Sequence, residues 1–259
     1  MSTEITTELI KQLRDATGIS VMQCKRALEE AEGDMNKALA ILKKTSSDIA
    51  LKKADRVAND GAVTIKSDGN KAVLVTLHCE TDFVSRNDDF VSLLSALADK
   101  ALKEGAKKMK SDAKGMIDSI IQKTGENIQL GDVYEVSGST IGTYVHNNKM
   151  GVIVSLEGGT AEVARDIAMH ITAMKPEYIT SAEITPEAKQ TMTEIFQKEV
   201  ASIDKPEEIK KKMLDGKIGT YFKEKTLAEQ PFIKNPDETI GQLLQKNKAQ
   251  IKEVKRSVI

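Results

Sequence analysis

Two stretches of this 259-residue sequence repeat one another, and the repeat limits the folds open to it. Asn70-Lys71-Ala72-Val73-Leu74-Val75-Thr76-Leu77 can be laid on Asn148-Lys149-Met150-Gly151-Val152-Ile153-Val154-Ser155-Leu156 with one insertion. Each stretch is the second arm of an alternating pattern whose first arm is 62–66 or 143–146. Ser67-Asp68-Gly69-Asn70 and Asn147-Asn148 separate the arms, so each copy predicts a β-hairpin. A helical pattern follows each hairpin. The first covers 90–103, with Val91, Leu94, Leu97 and Ala98 on one face; the second covers 162–174 and stops before Pro176. A duplicated hairpin-plus-helix unit commits the middle of the chain to an α+β core of two subdomains with antiparallel sheets.

The copies differ at the corner between strand and helix. The second has Glu157-Gly158-Gly159-Thr160, ordinary turn residues. The first has His78-Cys79-Glu80-Thr81-Asp82-Phe83-Val84-Ser85-Arg86 before a helix starting near Asp88 or Asp89. Phe is usually buried, so composition alone would tuck Phe83 under the sheet. A Phe between Asp and Val is nevertheless more apolar than a turn requires, and loops on a rigid strand–helix frame carry functional residues. Asp82 has a plainer role open to it, capping the turn through backbone amides.

The flanks are helical. Residues 4–44 predict three short helices: one with Ile5, Leu9, Leu13 and Ala16 inward, ending at Gly18, and one opening on a Ser20…Gln23 capping box. The third is capped by Asp34, with Met35, Ala38, Leu39 and Leu42 inward. Helices this short must pack on one another. Ile19, Val21 and Met22 cluster at one turn, where core and exposed-patch readings are both open. Residues 45–60 read as a polar, partly helical linker. A charged stretch, 103–115, separates the first core helix from a short helix with Ile117, Ile120 and Ile121. Thr185-Pro186 starts a helix to about Ser202; Lys205-Pro206 breaks it, and 207–227 runs back as the second arm of a projecting antiparallel hairpin. A last helix near 240–245 and a strand over 251–259 complete the chain. The expected division is 1–54 (three-helix docking module plus linker), 55–140, 141–179 with 229–259, and 180–228 (the helical hairpin).

Composition excludes several classes. Lys and Arg number 38 against 39 Asp and Glu, a net charge of −1, which argues against a nucleic-acid or membrane-surface binder. No apolar run approaches the roughly 20 residues of a membrane span, and Met1-Ser2-Thr3-Glu4 lacks signal-peptide character. Two distant cysteines, Cys24 and Cys79, predict a reduced, cytoplasmic protein. His78 and Cys79 are strand neighbours that point to opposite faces, so they make a poor nucleophile–base pair. His78, His146 and His170 are too scattered for a metal site, and neither a phosphate loop nor a dinucleotide fingerprint appears. The expectation is a binding protein rather than an enzyme, with no cofactor and no metal.

Several motifs in one order give that expectation a family. Leu13-Arg14-Asp15-Ala16-Thr17-Gly18, Cys24-Lys25-Arg26-Ala27-Leu28, Cys79-Glu80-Thr81-Asp82-Phe83-Val84 and Gly125-Glu126-Asn127-Ile128 are followed by Ile167-Ala168-Met169-His170, Lys175-Pro176-Glu177, Gln230-Pro231-Phe232 and Gly241-Gln242-Leu243-Leu244. Over nearly its whole length the chain resembles the elongation factor Ts family, guanine-nucleotide exchange factors for the GTPase elongation factor Tu. The resemblance implies that the N-terminal module docks on the GTPase domain through Leu13, Val21 and Met22. It also implies that Thr81, Asp82, Phe83 and Val84 disturb the partner's magnesium and phosphate site. His146, at the second hairpin tip, would touch another domain of the partner. The helical hairpin would serve self-association as a homodimer, a two-plus-two complex, or further contacts. Longer members carry an added C-terminal helical module, which this sequence, ending at Ile259, is expected to lack. The three-helix module also resembles ubiquitin-associated (UBA-like) domains, so a docking scaffold or chaperone adaptor without exchange activity is the alternative.

Overall fold

The computed structural model describes residues 5–259; Met1–Glu4, read above for signal-peptide character and the start of the first helix, lie outside the described residues. Three helices open the chain: α1 (Thr7–Thr17), α2 (Val21–Glu30) and α3 (Met35–Lys53). Each is stopped or started by the residue its sequence offers. Thr6 caps α1 by accepting from the Leu9 amide, and Gly18, at φ 67°, ends it in the left-handed region that favours glycine. Asp34 caps α3 by accepting from the Lys37 amide at 3.0 Å. At α2 the Ser20 hydroxyl accepts from the Gln23 amide. The Gln23 side chain takes the Ser20 hydroxyl instead of its backbone N–H, so the expected reciprocal box is only half formed. Leu13, Ile19, Cys24, Leu28, Ala38 and Leu42 close a small core of their own.

The third helix is longer than its periodicity suggests. It continues through the expected linker to Lys53 because Ser46 and Ala50 are buried there. Its hydroxyls are satisfied across the contact with α6 (Ala106–Thr124). Ser46 meets Gln122, and Ser47 donates to Asp118 at 2.7 Å. The apolar share of this face is small, Ala50 with Ile49 partly buried beside it, so the helical periodicity there is weak.

The first copy of the repeat is β1 (Asp60–Ser67), β2 (Lys71–Cys79), the single turn α4 (Asp82–Ser85) and α5 (Asp88–Glu104). β1 and β2 pair antiparallel from Asp60↔Cys79 to Ser67↔Ala72. β3 (Gln129–Ser137) joins β2 to give the order β1-β2-β3. Val73, Val75, Leu77 and Cys79 face Phe90, Leu94, Leu97, Met109 and Ile121 in one core. The charged stretch 103–115 proves to be helix: α6 starts directly after Gly105. Met109 and Ala113 face inward while Lys100 pairs with Asp112 at 2.9 Å, so charge lies on the outer face only.

The second copy is β4 (Thr140–His146), β5 (Met150–Glu157) and α7 (Ala161–Met174). After it come α8 (Pro186–Ala201), α9 (Glu207–Lys225), β6 (Pro231–Phe232), β7 (Asn235–Thr239), α10 (Ile240–Lys246) and β8 (Gln250–Val258). The second sheet has the order β4-β5-β8, and β6 pairs β7 antiparallel. Val152, Val154 and Leu156 pack with Ile167, Ile171, Leu227, Phe232 and Ile240. β3 and the β6–β7 pair have no clear strand signal in the sequence: β3 carries Gly131, Asp132 and Glu135, and β6 is two residues long. The fold is α+β, with a UBA-like helical module at its start. The chain forms two compact units. One runs through Glu135 and takes in Val145–Gly151 and Arg256–Ile259; the other comprises Val136–Tyr144 and Val152–Lys255.

Candidate functional site: an apolar corner on a pinned turn

β2 ends at Cys79, and the chain then makes one helical turn before α5 begins. Thr81 caps that turn by accepting from the Val84 amide. Asp82, the alternative cap, pairs instead with Arg86 at 3.3 Å. One turn later the helix breaks at Arg86, and Asn87 starts α5 by accepting from the Asp89 amide at 2.9 Å. The geometry divides the apolar pair. Val84 turns inward to the first core, whereas Phe83 is 84 % exposed, the highest value among the exposed large apolar side chains. The burial expected from composition does not occur. A one-turn helix has a single inward face, and Val84 occupies it.

Two carboxylates hold the turn at its ends. Glu126 accepts from the Glu80 and Thr81 amides at 3.1 and 3.0 Å and from the Thr81 hydroxyl at 2.6 Å. Asp60 bonds Ser85 at the far end and Lys149 at 2.7 Å; Lys149 also donates to the Gly61 carbonyl. Partial burial pushes the Asp60 carboxyl up, but the bonds from Lys149, Ser85 and the Gly61 amide outweigh it and hold the value at about 2. Cys79 is fully buried, and its thiol donates to the Thr81 carbonyl at 3.2 Å. Desolvation, helped by the negative charges of Asp60 and Glu126, pushes that thiol up to about 12, so it is protonated at neutral pH and no nucleophile. Glu126 stands in the sequence only as part of the Gly125-Glu126-Asn127-Ile128 motif and Lys149 only as part of the repeat, and nothing local gives them or Asp60 a role at the corner.

The other expected contact residues divide by exposure. Val21 and Met22, at the first turn of α2, are 51 % and 59 % exposed. Leu13 has no exposed surface and sits in the module's core. His146 is exposed at the end of β4. Asn147 and Asn148 both take positive φ, 50° and 56°, and the Lys149 amide donates to the His146 carbonyl at 2.9 Å. This is the two-residue turn whose twist suits a hairpin. The remaining histidine, His170, is buried. Its Nε2 meets Gln230 Oε1 at 2.8 Å and its Nδ1 accepts from the Ile233 amide at 3.3 Å, so it holds structure together. Burial lowers its pKa against the raising effect of Gln230. Among the described residues no cluster of three or more His, Cys, Asp or Glu side chains is placed to hold a metal ion. No helix among them is long and apolar enough to cross a membrane.

The chain is similar to known proteins. A family model described as Elongation factor TS matches residues 80–259, from the corner to the end, and a UBA-like domain model matches residues 6–42. Elongation factor Ts of Hahella chejuensis is 40 % identical over 254 residues, covering 95 % of this chain and 89 % of that protein. The proteins of the same name from Pseudomonas fluorescens and Alkalilimnicola ehrlichii are 40 % and 38 % identical, over 95 % and 93 % of this chain and 88 % and 87 % of their own. With a family model spanning most of the sequence and relatives matching nearly end to end, the chain belongs to the elongation factor Ts family.

Proposed function

We propose that this chain is a guanine-nucleotide exchange factor for elongation factor Tu and that α4 is its acting element. The observation that supports this reading above the others is Phe83, a large apolar side chain held almost fully in water on a turn pinned at both ends. Exposing a Phe forgoes roughly 1.5–3 kcal/mol of burial. A surface that keeps that energy in reserve can release it in a complex. In the exchange reading Phe83 enters the partner beside its nucleotide pocket and displaces the magnesium and phosphate-binding groups that hold GDP. No covalent bond is made or broken. A factor that binds the empty GTPase better than the GDP form weakens GDP by the same ratio.

The corner residues then have separate tasks. Phe83 is the wedge, Asp82 with Arg86 supplies charge beside it, Thr81 caps the turn, and Val84 anchors it to the core. Val21 and Met22 are the docking contacts on the N-terminal module, with Leu13 holding their helices from beneath, and His146 contacts the partner from the second hairpin tip. The helical hairpin offers a further surface. Only Val200 of α8 and Phe222 of α9 are buried, and Ile195 and Ile209 are exposed, which suits self-association there. Working beside elongation factor Tu places the protein in the cytoplasm.

The test is release of a fluorescent GDP from elongation factor Tu in excess magnesium, with and without this protein. Acceleration that falls with Phe83→Ala supports exchange through the corner. Complex formation without acceleration would replace exchange by docking alone, the role its UBA-like module could serve as a scaffold or adaptor.

A further inference from the structure

Gly125–Asn127, the link from α6 to β3, touches both the corner and the end of α3. Glu126 gathers three donors at the start of the corner: two successive backbone amides and the Thr81 hydroxyl. Glu80 returns the contact by accepting from the Asn127 amide at 2.7 Å. Asn127 is buried, and its Nδ2 donates to the Arg56 carbonyl at 2.6 Å, with the Ala54 carbonyl at 3.4 Å, just beyond α3. Lys53, the last residue of α3, bonds the Gly125 carbonyl. The helix that carries the three-helix module is thus tied, through one short link, to the turn that carries Phe83.

The second copy of the repeat shows that the fold does not need such a carboxylate. With Leu77 laid on Leu156, Thr81 falls on Thr160 without a gap. Both are helix caps with nearly the same backbone: φ −132°, ψ 158° at Thr81 and φ −128°, ψ 158° at Thr160. In the second copy the link before β8 lies against the corner by backbone approach, where a Cβ on Gly158 would collide with the Lys248 carbonyl oxygen. The cap geometry is common to both copies. A three-donor carboxylate is found where the corner bears Phe83.

We infer that Glu126 is a positioning residue for nucleotide exchange: it fixes the turn bearing Phe83 and, through Asn127, its spacing from the docking residues Val21 and Met22. This rests on the corner being the exchange element. The entropy of ordering Glu80 and Thr81 is then lost before the partner arrives, and docking by the module presents Phe83 already in place.

The experiment uses the full chain and GDP release from elongation factor Tu, with Glu126→Ala, Glu126→Gln, Phe83→Ala and the double variant Glu126→Ala/Phe83→Ala. Freeing one or two residues' backbone predicts an exchange rate roughly tenfold lower for Glu126→Ala. Glu126→Gln, which keeps an acceptor for both amides, restores most of it. In the Phe83→Ala background, removing Glu126 adds nothing further, and this separates positioning from general damage. Hydrogen exchange supplies a readout independent of activity: the Glu80 and Thr81 amides exchange faster in Glu126→Ala, while those of Val73–Leu77 keep their protection. Wild-type exchange by Glu126→Ala alongside a defective Phe83→Ala overturns the inference and leaves the corner's role standing. An equal fall in both backgrounds, or loss of protection throughout β2, also overturns it. A fully active Phe83→Ala overturns both.

Discussion

The two copies of the hairpin-plus-helix unit start from the same strand and the same capping threonine, then part. After Thr160 the helix runs unbroken for 14 residues. After Thr81 it lasts four, breaks at Arg86 and starts again from Asn87. Glu162, two places past the second cap, is exposed as Phe83 is, so at that position the copies differ in residue type and not in exposure. Two glycines precede the second cap, at φ 75° and 68°, with Gly158 seated under the Lys248 carbonyl. Cys79 and Glu80 precede the first, one buried and one bonded to its neighbours. One copy closes its corner against its own chain. The other holds its corner open with carboxylates.

This contrast can be broken experimentally. The largest effect should come from Phe83→Ala: GDP release tenfold to hundredfold slower, as expected for a burial of roughly 1.5–3 kcal/mol made only in the complex. Because Phe83 is exposed, the urea midpoint of the free protein should barely move. A large midpoint shift would mean the corner is core after all. Gly158→Ala tests the closed copy and should do the reverse. A left-handed φ and a collision with a carbonyl predict a loss on the order of 2 kcal/mol in stability. Exchange per folded molecule should stay unchanged.

Acid separates the copies by window. In the first, Asp60 titrates near 2 when folded against an ordinary 3.8, so the unfolded chain takes up its proton first. Its contribution is complete above about pH 4 and is lost as pH falls to 2. Discounted for its partial exposure, it is on the order of 1 kcal/mol. Asp60→Asn should flatten that part of the stability–pH curve, and an unchanged slope would remove Asp60 from the pinning of the turn. In the second copy, His170 is neutral and its folded pKa lies below the ordinary 6.5. The unfolded chain therefore binds the proton first as pH drops below 6.5, and stability declines from there toward the lowered folded value. Amide exchange of α7 read between pH 7 and 5 should rise before that of α5, the smallest of these effects. Simultaneous loosening would show that the copies share one acid response.

Several features of the molecule were legible residue by residue. The repeat, both hairpins, the helix starts at Ser20, Asp34 and Thr185, and the stops at Gly18 and before Pro176 follow from local rules of capping, turn geometry and backbone restriction, which operate over a few residues. The apolar corner was legible too, as a Phe where a turn residue was expected. Tertiary contact decided the rest. The continuation of α3 and the unity of α6 depend on polar and charged side chains, Ser46, Ser47, Gln122 and Asp118, that read as solvent-facing until a facing helix satisfies them. β3 is a strand because β2 has an edge to pair. Burial separated Leu13 from Val21 and Met22 and Val84 from Phe83, pairs that look alike in sequence. Glu126 reaches the corner from 45 residues away. Periodicity and capping act along the chain, whereas exposure and hydrogen-bond partners depend on which other segment arrives, and only the folded chain fixes that.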